Sequence, residues 1–209
     1  MVELGRTVFL VEGDLAVRDF ISSLVETVGL CARIYDNAAG FLADYDPSVP
    51  GCLVTDIRLA DMGGLELQAH LVSQGIDIPV IVISENGDVT TAVTAMKAGA
   101  VNFLPIPFRE QPFLDAVNEA IALDAKRRAK RAARAALEEK LACLTKRERQ
   151  ILDRLVTGRS TREIAADLGV SPKTVDFHRQ HVFDKMNVGT IVGLALACET
   201  LGIQRPHEG

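Results

Sequence analysis

Five short apolar runs, TVFLV (7–11), CARIY (31–35), CLVT (52–55), PVIVI (79–83) and VNFL (101–104), alternate with segments of helical period. This alternation constrains the fold more than any other feature. Strands joined by helices build a parallel sheet covered on both faces. CLVT and PVIVI are almost wholly apolar, as strands buried on both sides are. Leu15–Val28 brings Val17, Phe20, Ile21, Leu24, Val25 and Val28 into helical register before Gly29 stops it, and Gly64–Gln74 and Val89–Ala98 follow the same pattern. The expectation is an α/β domain with a five-stranded, doubly wound parallel sheet, whose functional crevice lies at the carboxyl ends of the strands.

Those ends carry Glu12-Gly13-Asp14, Asp56, Ser84 and Pro105-Ile106-Pro107. Asp56 ends a buried strand, which makes it a carboxylate on a rigid element. Asp14 precedes a helix and is expected to cap it rather than to bind metal.

The charge is divided unevenly. Residues 1–124 hold 6 Lys+Arg against 18 Asp+Glu, a net of −12, and residues 125–209 hold 17 against 10, a net of +7, which together give the −5 of the chain. An acidic half joined to a basic half implies two modules with different partners, the basic one suited to nucleic acid. No apolar run reaches the ~20 residues of a membrane span, and the N-terminus has no signal-peptide cleavage pattern. The scattered Cys31, Cys52, Cys143 and Cys198 read as reduced thiols of a cytoplasmic protein.

From Glu110 the helical pattern runs on through DAKRRAKRAARAALEEKLACL without Pro or Gly, so a long linker helix is expected. Its basic run, Lys126 to Arg134, suits a solvated connector face, a contact with DNA phosphate, or a dimer seam along Leu114, Val117, Ile121 and Leu137. Thr145 with Glu148 forms a capping box. Thr161–Leu168, closed by Gly169, and a helix capped by Ser171 with Pro172 at its first position give a helix-turn-helix. On that last helix Val175, Val182 and Met186 share the inner face. His178 and His181 suit packing or phosphate contact better than metal. A final helix from about Thr190 to Leu201 closes the core and leaves an apolar patch fit for a second copy on a two-fold DNA site.

Two resemblances cover nearly the whole chain. Residues 7–120, through VTDIRLADMGGLEL, VIVISENGDV and AMKAGAVNFL, resemble a response-regulator receiver domain of the FixJ type, with a flavodoxin-like sheet. LTKRERQIL and REIAADLGVSPKTVDFHR are similar to LuxR-type DNA-binding domains of the same branch. The resemblance implies a receiver over 1–122, a helical linker over 123–142 and a helix-turn-helix domain over 143–209. It implies a phosphoacceptor at Asp56, switch residues at Ser84 and Phe103, and Mg²⁺ held by Asp56 and an acidic pair after the first strand. A Lys is implied after the fifth strand.

The sequence departs from that pattern twice. The acidic pair is Glu12-Gly13, and Ile106 stands where the Lys belongs. Attack of a carboxylate on phosphorus needs a divalent cation and a positive side chain. Mg²⁺ needs oxygen ligands in octahedral array. Impaired phosphorylation and weak or absent metal binding at Glu12 and Asp56 are therefore expected, with Mg²⁺ not required. Arg58 and Arg109 are the candidates for a substitute cation.

For the second half the resemblance implies Lys173 and Thr174 near phosphate, Asp176, Phe177 and Gln180 at base edges, and Arg179 and Lys185 in the DNA-binding set. The chain reads as a transcription regulator of a two-component pathway. Its expected partners are double-stranded DNA, a second copy, and a sensor histidine kinase or other protein. No nucleotide-binding Gly-rich loop or second acid/base constellation suggests an enzyme. Two mechanisms stay open: control independent of phosphorylation, or dimerisation on phosphorylation of Asp56.

Overall fold

The computed structural model describes residues 5–85 and 87–203; residues 1–4 of the N-terminal reading and 204–209 of the second domain lie outside them. The chain divides into two compact units after Arg128.

The first unit contains β1 (Thr7–Val11), α1 (Leu15–Thr27), β2 (Cys31–Tyr35), α2 (Ala38–Asp44), β3 (Gly51–Asp56), α3 (Gly64–Ser73), β4 (Val80–Ser84), α4 (Val89–Lys97) and β5 (Asn102–Pro105). The strands pair in parallel in the order β2-β1-β3-β4-β5. Every residue of β1, β3 and β4 is buried, whereas the edge strands β2 and β5 are partly exposed. The period of two along β1 sends Val8 and Leu10 to one core and Phe9 and Val11 to the other. The first core packs Ile21, Leu24 and Val25 of α1 and Phe113, Val117 and Ile121 of α5 (Glu110–Ala142). The second packs Phe41, Leu67, Leu71 and Ala95.

Three local departures from the sequence reading have physical reasons. Phe20 and Val28 of α1 are 44% and 47% exposed, because Ile21, Leu24 and Val25 fill the stripe that the sheet can cover. Val117 and Ile121 are spent in the receiver core and Leu137 packs on the core of the second unit, so these positions are not an open dimer seam. The basic run is also more committed than expected. Arg127 Nη1 lies 2.6 Å from Asp77 Oδ1. Arg128 donates from Nε to Asp124 Oδ2 (2.6 Å) and from its Nη atoms to the carbonyls of Pro47 (2.8 Å), Ser48 (3.1 Å) and Val49 (2.6 Å). Asp124, 2% exposed, also accepts from Gly51 N–H at 2.9 Å. One carboxylate–guanidinium pair thus ties α5 to the start of β3.

The second unit contains α6 (Lys146–Val156), α7 (Thr161–Leu168), α8 (Pro172–Met186) and α9 (Ile191–Thr200) around a core of Ile151, Leu152, Leu155, Ile164, Val182 and Leu194. Each helix starts at a hydroxyl cap: Thr145, Ser160, Ser171 and Thr190 accept from the backbone N–H three residues on. Among the described residues no helix is long and apolar enough to cross a membrane, and the four cysteines are free.

Candidate phosphoacceptor crevice and DNA-facing helix

The strand order places the change of winding direction between β1 and β3, where the crevice of an open parallel sheet forms. Glu12 follows β1 and Asp56 ends β3, so the two acids stand on neighbouring strands. They line a crevice of about 470 Å³ with Gly13, Asp14, Val17, Arg58, Glu85 and Ile106.

Glu12 is 4% and Asp56 8% exposed. Glu12 Oε1 accepts from Asp14 N–H at 2.9 Å, while Glu12 Oε2 and Asp56 Oδ1 have no hydrogen-bond partner among the described residues. Burial pushes the Glu12 carboxyl up from its ordinary range; its backbone bond with Asp14 opposes this and the Asp56 charge adds to it. Burial likewise raises the Asp56 carboxyl, against the backbone N–H groups of Ile57 and Arg58.

Asp14 caps α1 as expected, accepting from Ala16 N–H (2.8 Å) and Val17 N–H (3.1 Å). Both bonds fall on Asp14 Oδ1, and Asp14 also lines the crevice. Two buried carboxylates with unpartnered oxygens suit the one or two protein ligands that Mg²⁺ commonly takes, its remaining positions going to water. Such an ion would supply positive charge between Glu12 and Asp56.

Of the two candidate substitute cations, Arg58 lines the crevice and Arg109 does not. Arg58 is paired with Glu85, a residue that the sequence reading missed because it belongs to another element. Ile106 also lines the crevice, donates its N–H to the Ser84 carbonyl at 2.7 Å and packs against the first core. Ser84 is buried at the end of β4, and half-buried Phe103 packs on the second core.

On α8, Val175, Val182, Phe183 and Met186 are buried. Lys173, Asp176, Phe177 and Gln180 are exposed, Phe177 by 58%. Thr174 is half-buried, its hydroxyl 2.8 Å from that of Ser171. Arg179 lies with its guanidinium 5.4 Å from the Phe183 ring centre. The Asp176 carboxylate accepts from the Thr161 hydroxyl (3.2 Å), and Gln180 Nε2 donates to Asp184 (2.9 Å).

Lys185 points elsewhere. Its ammonium donates to Glu148 Oε2 (2.7 Å) and the Cys143 carbonyl (3.2 Å), so it joins α8 to α6. Glu148 is 3% exposed. Burial opposes its ionisation, but Lys185 and Thr145 outweigh it and bring the Glu148 carboxyl down to about 2. The fold also brings Glu148 to His178 and His181, with one ligand atom of each within 4.8 Å of the others, a third group that the sequence reading had not counted. The Lys185 ammonium already meets the Glu148 charge.

Residues 8–118 match the family described as "Response regulator receiver domain", and residues 142–197 match "Bacterial regulatory proteins, luxR family". The chain belongs to the FixJ-type response regulators.

The FixJ-type chain is 37% identical over 201 residues to "Response regulator protein TodT" of Pseudomonas putida, covering 96% of this chain and 88% of that protein. It is 39% identical over 199 residues to "Transcriptional regulatory protein FixJ" of Rhizobium meliloti, covering 91% and 95%. Among solved structures, that of response regulator StyR is similar with a TM-score of 0.84 and 38% identity over 93% of this chain and 98% of that one. This FixJ-type protein is thus a DNA-binding transcriptional response regulator of two-component type. Its family is one of regulators rather than enzymes.

Proposed function

We propose that this regulator reads promoter DNA through α8 and that its receiver sets assembly without depending on phosphorylation of Asp56. The observation that carries this reading is Ile106. A hydrocarbon occupies the position from which a lysine ammonium would meet the transferring phosphoryl oxygens, and Arg58, which also lines the crevice, is tied to Glu85. Phosphoryl transfer is catalysed largely by positioned positive charge, so its removal slows attack by Asp56. Glu12 and Asp56 would hold Mg²⁺ weakly, because Gly13 supplies no second acid.

In this reading the receiver extends over 1–122, followed by a linker over 123–142 and the DNA-binding domain over 143–209. Lys173 and Thr174 meet phosphate, with Arg179 alongside. Asp176, Phe177 and Gln180 meet base edges, where Gln pairs with adenine and Phe touches a thymine methyl. A second copy pairs through α9, whose Ile191, Val192 and Leu196 are exposed. The protein works in the cytoplasm, where the DNA is.

The conventional alternative, dimerisation on phosphorylation, is favoured by the unpartnered oxygens of Glu12 and Asp56. Genome-wide DNA occupancy of wild type and Asp56→Ala separates the two. Equal occupancy supports the proposal; collapse restores the phosphorylation switch.

A further inference from the structure

Two histidines one turn apart on α8, His178 and His181, meet Glu148 of α6 inside the second unit, with one ligand atom of each within 4.8 Å of the others. His181 Nδ1 and Glu148 Oε1 stand 3.5 Å apart. The two imidazole centres are 6.5 Å apart with their planes at 88°. The helices that carry them share one core, through Ile151 and Leu152 of α6 and Val175 and Val182 of α8, so the three groups are held on rigid elements. The carboxylate is divided between two tasks. Glu148 Oε2 accepts from Lys185 Nζ (2.7 Å) and from Thr145 N–H (2.8 Å), while Oε1 faces His181. Hydrogen bonds of that kind orient a metal ligand from behind, and here they keep the carboxyl ionised. His178 Nδ1 has no hydrogen-bond partner among the described residues, so no protein group holds the ring by that atom.

We propose that Glu148, His178 and His181 form a site for one divalent transition-metal ion of the zinc class. Two imidazoles and a carboxylate, with water in the fourth position, are a ligand set that zinc takes in open sites. Imidazole also selects against Mg²⁺ and Ca²⁺, which prefer oxygen. Ligand atoms bound at about 2.0–2.1 Å in a tetrahedral array stand ~3.3 Å from one another. The His181–Glu148 pair is already at about that spacing, and the widest separation closes by ~1.5 Å, within the reach of side-chain rotation. The ion enters from solvent, since the His181 side chain is 42% exposed and His178 is half-buried. Lys185 shares the carboxylate with the ion, which makes binding reversible rather than a condition of folding.

The Phe177 ring centre lies 4.3 Å from that of His181 and 5.5 Å from that of His178. An ion that fixes both imidazoles fixes the rings against which Phe177 rests and so alters DNA reading, an effect that rests on α8 being the base-reading helix, as ion binding does not.

The test uses the full-length chain with Cys31→Ser and Cys143→Ser, which removes the two exposed thiols that would compete for zinc. It is titrated separately with ZnCl₂, MgCl₂ and sodium phosphate, and the imidazole nitrogen resonances are followed by NMR. The expected result is that about one equivalent of ZnCl₂ shifts His178 and His181 together and that MgCl₂ shifts neither. His178→Gln and His181→Gln each weaken zinc binding at least about tenfold, no less than the loss of an outer-shell partner does, and His70→Gln in the receiver leaves it unchanged. Glu148→Gln weakens it too, but that change also strips Lys185 of its counter-charge, so the histidine variants decide.

Zinc binding that survives either histidine substitution, or a response confined to one of the two rings, overturns the proposal. Ring shifts with phosphate and none with zinc do the same and assign the histidines to DNA phosphate. In a parallel gel shift ZnCl₂ changes the DNA affinity of the parent chain and not that of His181→Gln. An affinity indifferent to zinc, with the ring shifts intact, keeps the ion site and removes its bearing on α8.

Discussion

Replacing Asp124 with Ala should cost the receiver a large part of its stability. Asp124 is 2% exposed and accepts from Gly51 N–H at 2.9 Å and Arg128 Nε at 2.6 Å. Its removal strands a buried N–H at the start of β3, a loss of about 1–3 kcal/mol, and a charge-assisted bond of about 1.5–3 kcal/mol. It also leaves Arg128 in a half-buried position with three carbonyl acceptors but no counter-charge. The two losses add to about 2.5–6 kcal/mol, which brackets the usual cost of about 3–5 kcal/mol for breaking a buried pair from one side and is a substantial share of the roughly 5–15 kcal/mol that holds a domain folded. Urea unfolding of the full chain followed by far-UV circular dichroism measures it, since the sequence has no Trp. Asp124→Asn keeps the acceptor for Gly51 and should lose about half as much. A double-mutant cycle with Arg128→Met isolates the pair. An Asp124→Ala variant within about 1 kcal/mol of wild type, or an Asn variant as damaged as the Ala one, refutes the reasoning.

Phe177→Ala and Gln180→Ala should each relax base preference by about 1–3 kcal/mol, whereas Lys173→Ala should weaken binding to all sequences and lower the salt slope by about 0.9; competition gel shifts at several salt concentrations distinguish them. Lys185→Ala should unfold the DNA-binding unit more readily, by about 1–3 kcal/mol for a part-exposed charged hydrogen bond, through the loss of its bond to Glu148, with no change of salt slope in the folded fraction. Because the folded Glu148 carboxyl lies at about 2, below its unfolded range, the stability it contributes is complete above pH ~4.5 and declines as pH falls toward 2; acid titration of Glu148→Gln should lack that component. Asp56 and Glu12 have the opposite sign: their raised folded values mean that these ionised groups disfavour the fold at neutral pH and that the penalty fades on acidification. Asp56→Asn should therefore raise the urea midpoint at pH 7 but not at acid pH. Ile106→Lys should speed labelling of Asp56 by acetyl phosphate with Mg²⁺, measured by mass; labelling no faster than wild type would count against the role given to Ile106.

Much of this architecture is written in local pattern. β1, β3 and β4 are legible because burial on both faces demands continuous apolar runs, and the helices of the second unit are legible because a hydroxyl and its acceptor spacing mark each start. Helix α2 is harder to read, since its seven residues bury only Ala38 and Phe41 and give too short a window for a period to stand out, although Asn37 caps it. In the crevice, Glu12 and Asp56 announce themselves as acids at strand ends. Glu85 and Val17 do not, because they reach the site from different elements of the fold. Arg128 reads as one more charge in a basic run. Its acceptors at residues 47–49 are some eighty positions away, and only Asp124, one helical turn back, offered a local sign.

The hydroxyl caps at Thr145, Ser160, Ser171 and Thr190 bear on how the chain acquires its shape. Each joins residues three apart, so these helix starts form from local contacts, and α7 packs on the adjacent α8. Local contacts of this kind favour rapid folding, whereas the receiver must align β1 with β3 across more than forty residues before its sheet gains support. Although synthesised last, the DNA-binding unit can begin its helices without waiting for such a long-range pairing.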